Sequence, residues 1–465
     1  MNTRYILLVL VFYFNSIQFC IGLDARAFQG CALVNRKIFC YGGYNADPNN
    51  SEKTVAVTTH LVMDLTSIDF NNLTHTTQPW ANVSTTMQQQ LDYTLETRSR
   101  FEIATVDNSS YVIHGGCLDP GCRTMLRNAT ILYNTNTNTW KTLESPPYTI
   151  IHSGMVYSRG AAFMWGGNLA NDTNEYAPNV MFSLEMNSDT AKFLDQITWI
   201  LSPLGVGTNI PNITRTGHSA TLLEDGRIFY LGGALGTRKA TDSDKYAVMD
   251  HATIFDTTKY TWDVRNINGI KIAPRKFHTA TAVKGTNVIV IYGGIQSDDA
   301  LENAHNFIKE TCVLFDTRAL TYSNLQYDNG DNFPGRYGHS AIIYNSYLFL
   351  LFGINGINGQ HVYANDVTVM DFADVNHPIW LGNISDVKAR PTKTTNESTT
   401  DLPTPPFMPP ASPESSGGLS SGGIAGVSVG CAIAGVRGKK NDGIGIRSGG
   451  AGWSENKQKK KKKNY

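Results

Sequence analysis

Six short apolar runs recur along the chain, at 38–41, 111–114, 161–165, 228–231, 288–292 and 348–352. Uninterrupted apolar stretches of this length predict strands buried on both faces. Five run into a glycine pair, at Gly42-Gly43, Gly115-Gly116, Gly166-Gly167, Gly232-Gly233 and Gly293-Gly294; the sixth runs into Gly353-Ile354. Before each run lie a more polar strand and a tight turn. After each comes a third strand, ending at Asp64, Asn134, Glu185, Asp256, Asp316 or Asp371. Six residues beyond four of these ends stands an aromatic residue: Phe70, Trp140, Trp262 or Tyr322. Trp380 stands later in the sixth copy, and the third copy has no clean match.

A pattern repeating every roughly fifty to seventy residues is the signature of a closed repeat architecture. Four short strands per copy make one blade of a β-propeller, so the expected fold is all-β and six-bladed, spanning residues 23–387. The first strands carry small polar clusters: Arg215-Thr-Gly-His218, Arg275-Lys-Phe-His278 and Arg336-Tyr-Gly-His339. His152-Ser-Gly, Glu102-Ile-Ala and Gly30-Cys-Ala take this place in the other copies. These side chains read as scaffold, bonding within or between blades. Turns between first and second strands are short, whereas the loops after the glycines are long and varied. Insertions gathered on one face of a repeat protein mark its binding side. Arg238, Asp298 and Asp299 in those loops are the candidate ligand-binding residues.

The glycine pair, the Asp/Asn-ending strand and the aromatic six residues on together resemble the kelch repeat, over residues 26–385. The resemblance implies a propeller similar to the central domain of galactose oxidase. It also resembles secreted or single-pass fungal kelch proteins, built as signal, propeller, Pro/Ser/Thr stalk, membrane helix and tail.

Composition divides the chain. Its formal charge is zero, but from Arg437 onward there are ten Lys/Arg against two Asp/Glu. The body is therefore mildly acidic and lacks the basic footprint that nucleic-acid binding needs. Residues 1–22 read as a signal peptide, with Arg4, an apolar core at 5–14 and a small-residue end at Cys20-Ile21-Gly22. Nine glycosylation acceptors fit a secretory route: Asn49, Asn72, Asn82, Asn108, Asn128, Asn171, Asn212, Asn383 and Asn396. A two-residue turn at Asn35-Arg36 would set Cys31 opposite Cys40 within disulfide range, and Cys117 and Cys122 flank a turn sequence and could close a small loop. Free buried thiols are the alternative, and Cys312 is left over in a strand. Residues 388–421 form a Pro/Ser/Thr-rich stalk, expected to be disordered. Residues 422–436 resemble the start of a membrane helix, cut off at Arg437 after about fifteen residues where a span needs about twenty. A frame change or retained intron would explain the break, and only weak membrane association is expected. A basic low-complexity tail, 437–465, closes the sequence.

The expected function is non-catalytic: an extracellular or cell-surface module recognising a protein or glycan through the long-loop face, with no cofactor. A copper-radical oxidase of the galactose oxidase type is the alternative. It would need a Tyr–Cys cross-link, a second Tyr and two His, for which the sequence offers only Cys312 and unspaced histidines such as His114 and His305.

Overall fold

A computed structural model describes residues 23–384 except 48–49, 71–79, 84–94, 171–174, 187–197, 204–208, 237–244, 297–306, 309–310, 326–334 and 358–359. The expected leader, stalk, membrane-like segment and tail lie outside the described residues. So do Arg238, Asp298, Asp299, Asn49, Asn72, Asn171, Asn396 and His305.

The chain forms six antiparallel four-stranded blades. Blade one is Gly30–Val34, Lys37–Tyr41, His60–Asp64 and Trp80–Asn82, and blade six is Ser340–Tyr344, Tyr347–Leu351, Val367–Asp371 and Ile379–Asn383. The inner strands of blades two to five are Glu102–Asp107, Met155–Ser158, Ser219–Leu222 and Thr279–Ala282. Each inner strand neighbours the next, and that of blade six neighbours that of blade one, so the propeller closes. Among the described residues every blade takes all four strands from its own stretch of chain, with no strand exchanged between blades one and six. In blade five an extra segment, Asn268–Gly269, runs parallel beside the outer strand Thr321–Asn324.

The repeated residues have identifiable physical tasks. Second strands such as Ser110–His114 and Ala161–Trp165 are buried along their whole length, as their unbroken apolar character requires. In every blade but the third, the Asp or Asn ending the third strand caps the turn that follows. Asp256 Oδ1 accepts from the N–H groups of Thr258 and Lys259, Asn134 Oδ1 from Asn136 and Thr137, and Asp316 Oδ1 from Arg318 and Ala319. Short polar side chains compete well for such turn amides. The outer-strand aromatics bridge blades: Trp140 packs 5.5 Å from Tyr41 of blade one, and Trp262 packs 5.2 Å from Trp165 of blade three. Blade three has its own outer strand, Thr198–Pro203, far from the position at which the aromatic spacing looks for it.

In blade one, Asn35 and Arg36 both take positive φ (46° and 61°), giving the turn twist that suits a two-residue hairpin. Val34 then pairs with Lys37 and Cys31 with Cys40, whose sulfurs are 2.05 Å apart. Cys117 and Cys122 form a second disulfide, while Cys312 is free and buried in the third strand of blade five. The segments read as long loops are partly built: Tyr44–Asp47 pairs with Asn50–Ala56, and Ile354–Ile357 pairs with Gln360–Tyr363.

Candidate functional site

The entry to each inner strand follows one plan, and the plan builds the central site. A buried arginine opens it in five blades, donating from Nη1 to the carbonyl at that blade's glycine turn. The pairs are Arg26 with Gly42, Arg98 with Gly115, Arg215 with Gly232, Arg275 with Gly293, and Arg336 with Phe352, at 3.0–3.4 Å. Blade three has Ile150 there. The backbone carbonyl of this same position accepts from the glycine turn of the preceding blade. Gly43 N–H bonds Arg98 O, Gly116 bonds Ile150, Gly167 bonds Arg215, Gly233 bonds Arg275, Gly294 bonds Arg336, and Gly353 completes the circle onto Arg26. The second glycine of each turn therefore has a task in joining blades.

Two residues further on, every blade places a residue in the left-handed region: Phe28, Arg100, His152, Gly217, Phe277 and Gly338, with φ of 55–65°. Their backbones form a closed hydrogen-bonded hexagon about the axis. Arg100 N–H donates to Phe28 O, His152 to Arg100, Gly217 to His152, Phe277 to Gly217, Gly338 to Phe277, and Phe28 to Gly338. Above the hexagon, alternate blades contribute rings that meet on the axis. Phe28 lies 5.1 Å from Phe277 edge-on, and His152 lies 4.7 Å from Phe277. Glycine in blades four and six makes the room. A Cβ at Gly338 would come within 2.8 Å of the Phe28 ring, and one at Gly217 within 2.9 Å of the Phe277 ring.

Beside these rings is a cavity of about 150 Å³, with walls from all six blades. It opens at the inner-strand ends that also carry the long loops. His278 Nε2 bonds Ser219 Oγ at 3.0 Å, His339 Nε2 bonds Thr279 Oγ1 at 2.8 Å, and Gln29 Nε2 donates to Ser340 Oγ at 3.2 Å. This inter-blade latch lapses on the other side of the ring. Gly154 gives His218 no hydroxyl to meet, and Phe101 covers Gly30. Glu102 stands in blade two where Ser219, Thr279 and Ser340 stand in theirs, one residue past the histidine position, and is the only acid lining the cavity among the described residues. Its Oε1 accepts from Ser153 N–H at 2.7 Å, and burial pushes its carboxyl up to about 8 against that bond's pull. The imidazoles of His218 and His278 are held down to about 3 by burial, and those of His152 and His339 also lie well below the usual range.

Glu102 carries a prediction. Its raised value favours the native state fully below the unfolded carboxyl range, and that contribution is lost as pH rises through about 8. Glu102→Gln removes the loss. The variant should match wild type at pH 4 and be more stable at pH 9 by on the order of 1–2 kcal/mol, since the group is partly exposed. Paired urea titrations at the two pH values check this, and equal stabilities at pH 9 would overturn it.

The rim carries two cations from opposite blades. The Arg100 guanidinium lies 5.2 Å over Tyr44 and 5.9 Å over Phe28, with Nη1 3.2 Å from Cys122 Sγ of the loop disulfide. Lys276 Nζ lies 5.3 Å from the Phe277 ring and 5.4 Å from that of Tyr246. Neither makes a salt bridge among the described residues.

A family model for the KLHDC2/KLHL20/DRC7 kelch-repeats domain matches residues 151–380, blades three to six. This is a kelch-repeat protein. Kelch domain-containing protein 3 of Rattus norvegicus is 28% identical over 218 residues, covering 47% of this chain and 50% of the relative. Adagio-like protein 3 of Oryza sativa subsp. japonica is 26% identical over 218 residues, covering 45% and 31%. The chain thus spans half or less of the curated relatives it matches. Kelch repeats are a protein-binding scaffold, and the fold described above is a kelch β-propeller.

The kelch plan also corrects the alignment of the first strands. Matching by the histidines put His152, Glu102 and Gly30 in line with His218. The left-handed residues show instead that Ser153, Phe101 and Gln29 occupy that place, one residue away in each case. The signal that could have found this was the arginine three residues earlier, at Arg26 and Arg98. Of the acceptor asparagines, Asn108 is exposed at the tip of a blade-two turn, Asn212 is exposed near the long-loop face, and Asn82 and Asn128 are half-buried. Asn383 lies in the outer strand of blade six. The residues do not fit a copper centre: no three His, Cys, Asp or Glu are placed to hold a metal among the described residues, and Cys312 is buried in a third strand and does not line the axial cavity.

Proposed function

We propose that this kelch propeller acts in the secretory pathway or at the cell surface as a non-catalytic module that grips a protein or glycan on its long-loop face. The observation that carries the reading is the rim itself. Arg100 and Lys276 stand on opposite blades with rings at their sides, near a cavity with walls from all six blades. Cations with no salt bridge among the described residues, set beside aromatic rings, have the composition of a binding hot spot rather than of scaffold. Two disulfides and a leader-like start support the oxidising route.

Proximity labelling from the displayed propeller tests the face. Wild type should capture a partner that the double variant Arg100→Ala/Lys276→Ala loses by at least tenfold. Loss is also expected for Arg238→Ala and for Asp298→Ala/Asp299→Ala, while substitution of Arg159 in a short turn leaves capture intact. Equal capture by all variants would remove the assignment.

A further inference from the structure

From its donors and acceptors we infer that the axial cavity is a binding site for one small uncharged polyol, a single sugar residue being the chemistry that fits. The inference rests on the reading of the long-loop face as the working face and names what its centre holds.

Buried polar atoms in native proteins are nearly always bonded, and each exception asks for a partner. Four residues that line this cavity are more than nine-tenths buried and carry such exceptions. Gln29 Oε1, His278 Nδ1, His339 Nδ1 and both ring nitrogens of His218 have no hydrogen-bond partner among the described residues. Gln29 Oε1 can only accept, and its amide nitrogen is already committed to Ser340 Oγ and Leu351 O. The imidazoles of His278 and His339 accept or donate at Nδ1 according to tautomer, since each is bonded at Nε2 to a hydroxyl that can take either role. Glu102, whose carboxyl burial pushes up to about 8, offers an O–H donor in its protonated form.

Charge then narrows the class. A cation would have to pass Arg100 and Lys276 to reach a carboxyl that burial keeps neutral. An anion would face the lone pair of Gln29 Oε1. Hydroxyl groups both donate and accept, so a neutral polyol can meet these donors and acceptors with no buried charge. Phe28, Phe101 and Phe277 supply the apolar faces that a sugar's C–H surface needs. A volume of about 150 Å³ holds one small ring or about five waters. The titratable groups around Glu102 are His152, His218, His278 and His339, with Arg100 and Lys276 at the rim.

The test titrates the full chain with D-glucose, D-galactose, D-mannose and N-acetylglucosamine, reading saturation transfer from the protein to the sugar. At least one should saturate at pH 7. Its affinity should fall about 30-fold by pH 9.5, following the loss of the Glu102 proton. Glu102→Gln, with an amide N–H in place of the acid, should bind within threefold of wild type at pH 7 and show no pH dependence. Gln29→Ala should weaken binding at least tenfold with its denaturation midpoint near wild type. No saturation by any of the four sugars, or binding indifferent to both pH and Gln29→Ala, overturns the inference. Competition with partner capture separates the sources. A sugar that displaces the partner stands in for a terminal residue of the partner's glycan, and one that binds without displacing is taken up free. Capture without any sugar binding leaves the proposed face standing and removes this inference alone.

Discussion

Lowering the pH from 7 to 5 is expected to remove most of the propeller's stability, well before its carboxylates protonate. Six histidines are neutral because they are buried. His60, His114, His218 and His278 are each held down to about 3, and His152 and His339 also lie well below the usual range. A depressed value means that stability is fully present above the unfolded histidine value of about 6.5 and drains away as pH falls toward the native one. At pH 5 each of the first four costs about 2 kcal/mol, and together about 8 kcal/mol, against a typical domain stability of 5–15 kcal/mol. Glu102 has the opposite sign and offsets about one histidine over the same interval. Urea denaturation at pH 7.5, 6 and 5 measures this. A midpoint that does not move across that range would show that the native state takes up these protons without opening.

The second large effect belongs to the glycine turns. A Cβ at Gly115 would lie 1.8 Å from Ile150 O, and one at Gly293 1.9 Å from Arg336 O. Both obstacles are backbone atoms of the next blade, fixed there by the glycine that follows. Neither can step aside as a flexible side chain would. Both glycines also have left-handed φ, 75° and 68°. Gly115→Ala and Gly293→Ala should each cost more than about 4 kcal/mol and leave little folded protein. Gly285 is the control. Its φ is 73°, yet nothing lies within 4 Å of its Cβ position, so alanine there pays only the left-handed penalty of about 1 kcal/mol. Melting temperatures and soluble yields of the three variants separate clash from conformation. Similar losses at Gly115 and Gly285 would refute the clash argument.

These contrasts explain what was legible in the chain. The blades were readable because each repeated residue acts locally. Asp256 caps its own turn, and an apolar run such as Val288–Tyr292 is buried by the strands on either side of it. The central cavity was not readable, for the opposite reason. It takes two or three residues from each of six stretches, and four of its six left-handed positions are not glycine, so composition gives no cue at Phe28, Arg100, His152 or Phe277. Histidine then misled the alignment of blades one to three by one residue, enough to send Glu102 to the wrong tier. Blade three's outer strand escaped because Trp199 stands well beyond the spacing that Trp140 and Trp262 obey. The loop residues Arg238, Asp298 and Asp299 were chosen for their place on the long-loop side. That side is where the cavity opens, though its lining comes from the strand entries rather than from the loops.

The unshared ends of the ring bear on how it is assembled. Blade one is complete as soon as Asn82 has been made, but its flank toward blade six still lacks a neighbour. The Arg26 carbonyl, the Phe28 N–H and the Gln29 amide await Gly353, Gly338 and Ser340, the last of these 311 residues further along. Ring closure is thus a docking of two finished sheets and not the insertion of a missing strand. Synthesis stopped short of the sixth blade would leave five intact sheets with two bare flanks, each presenting to other molecules the bonding groups meant for its absent neighbour.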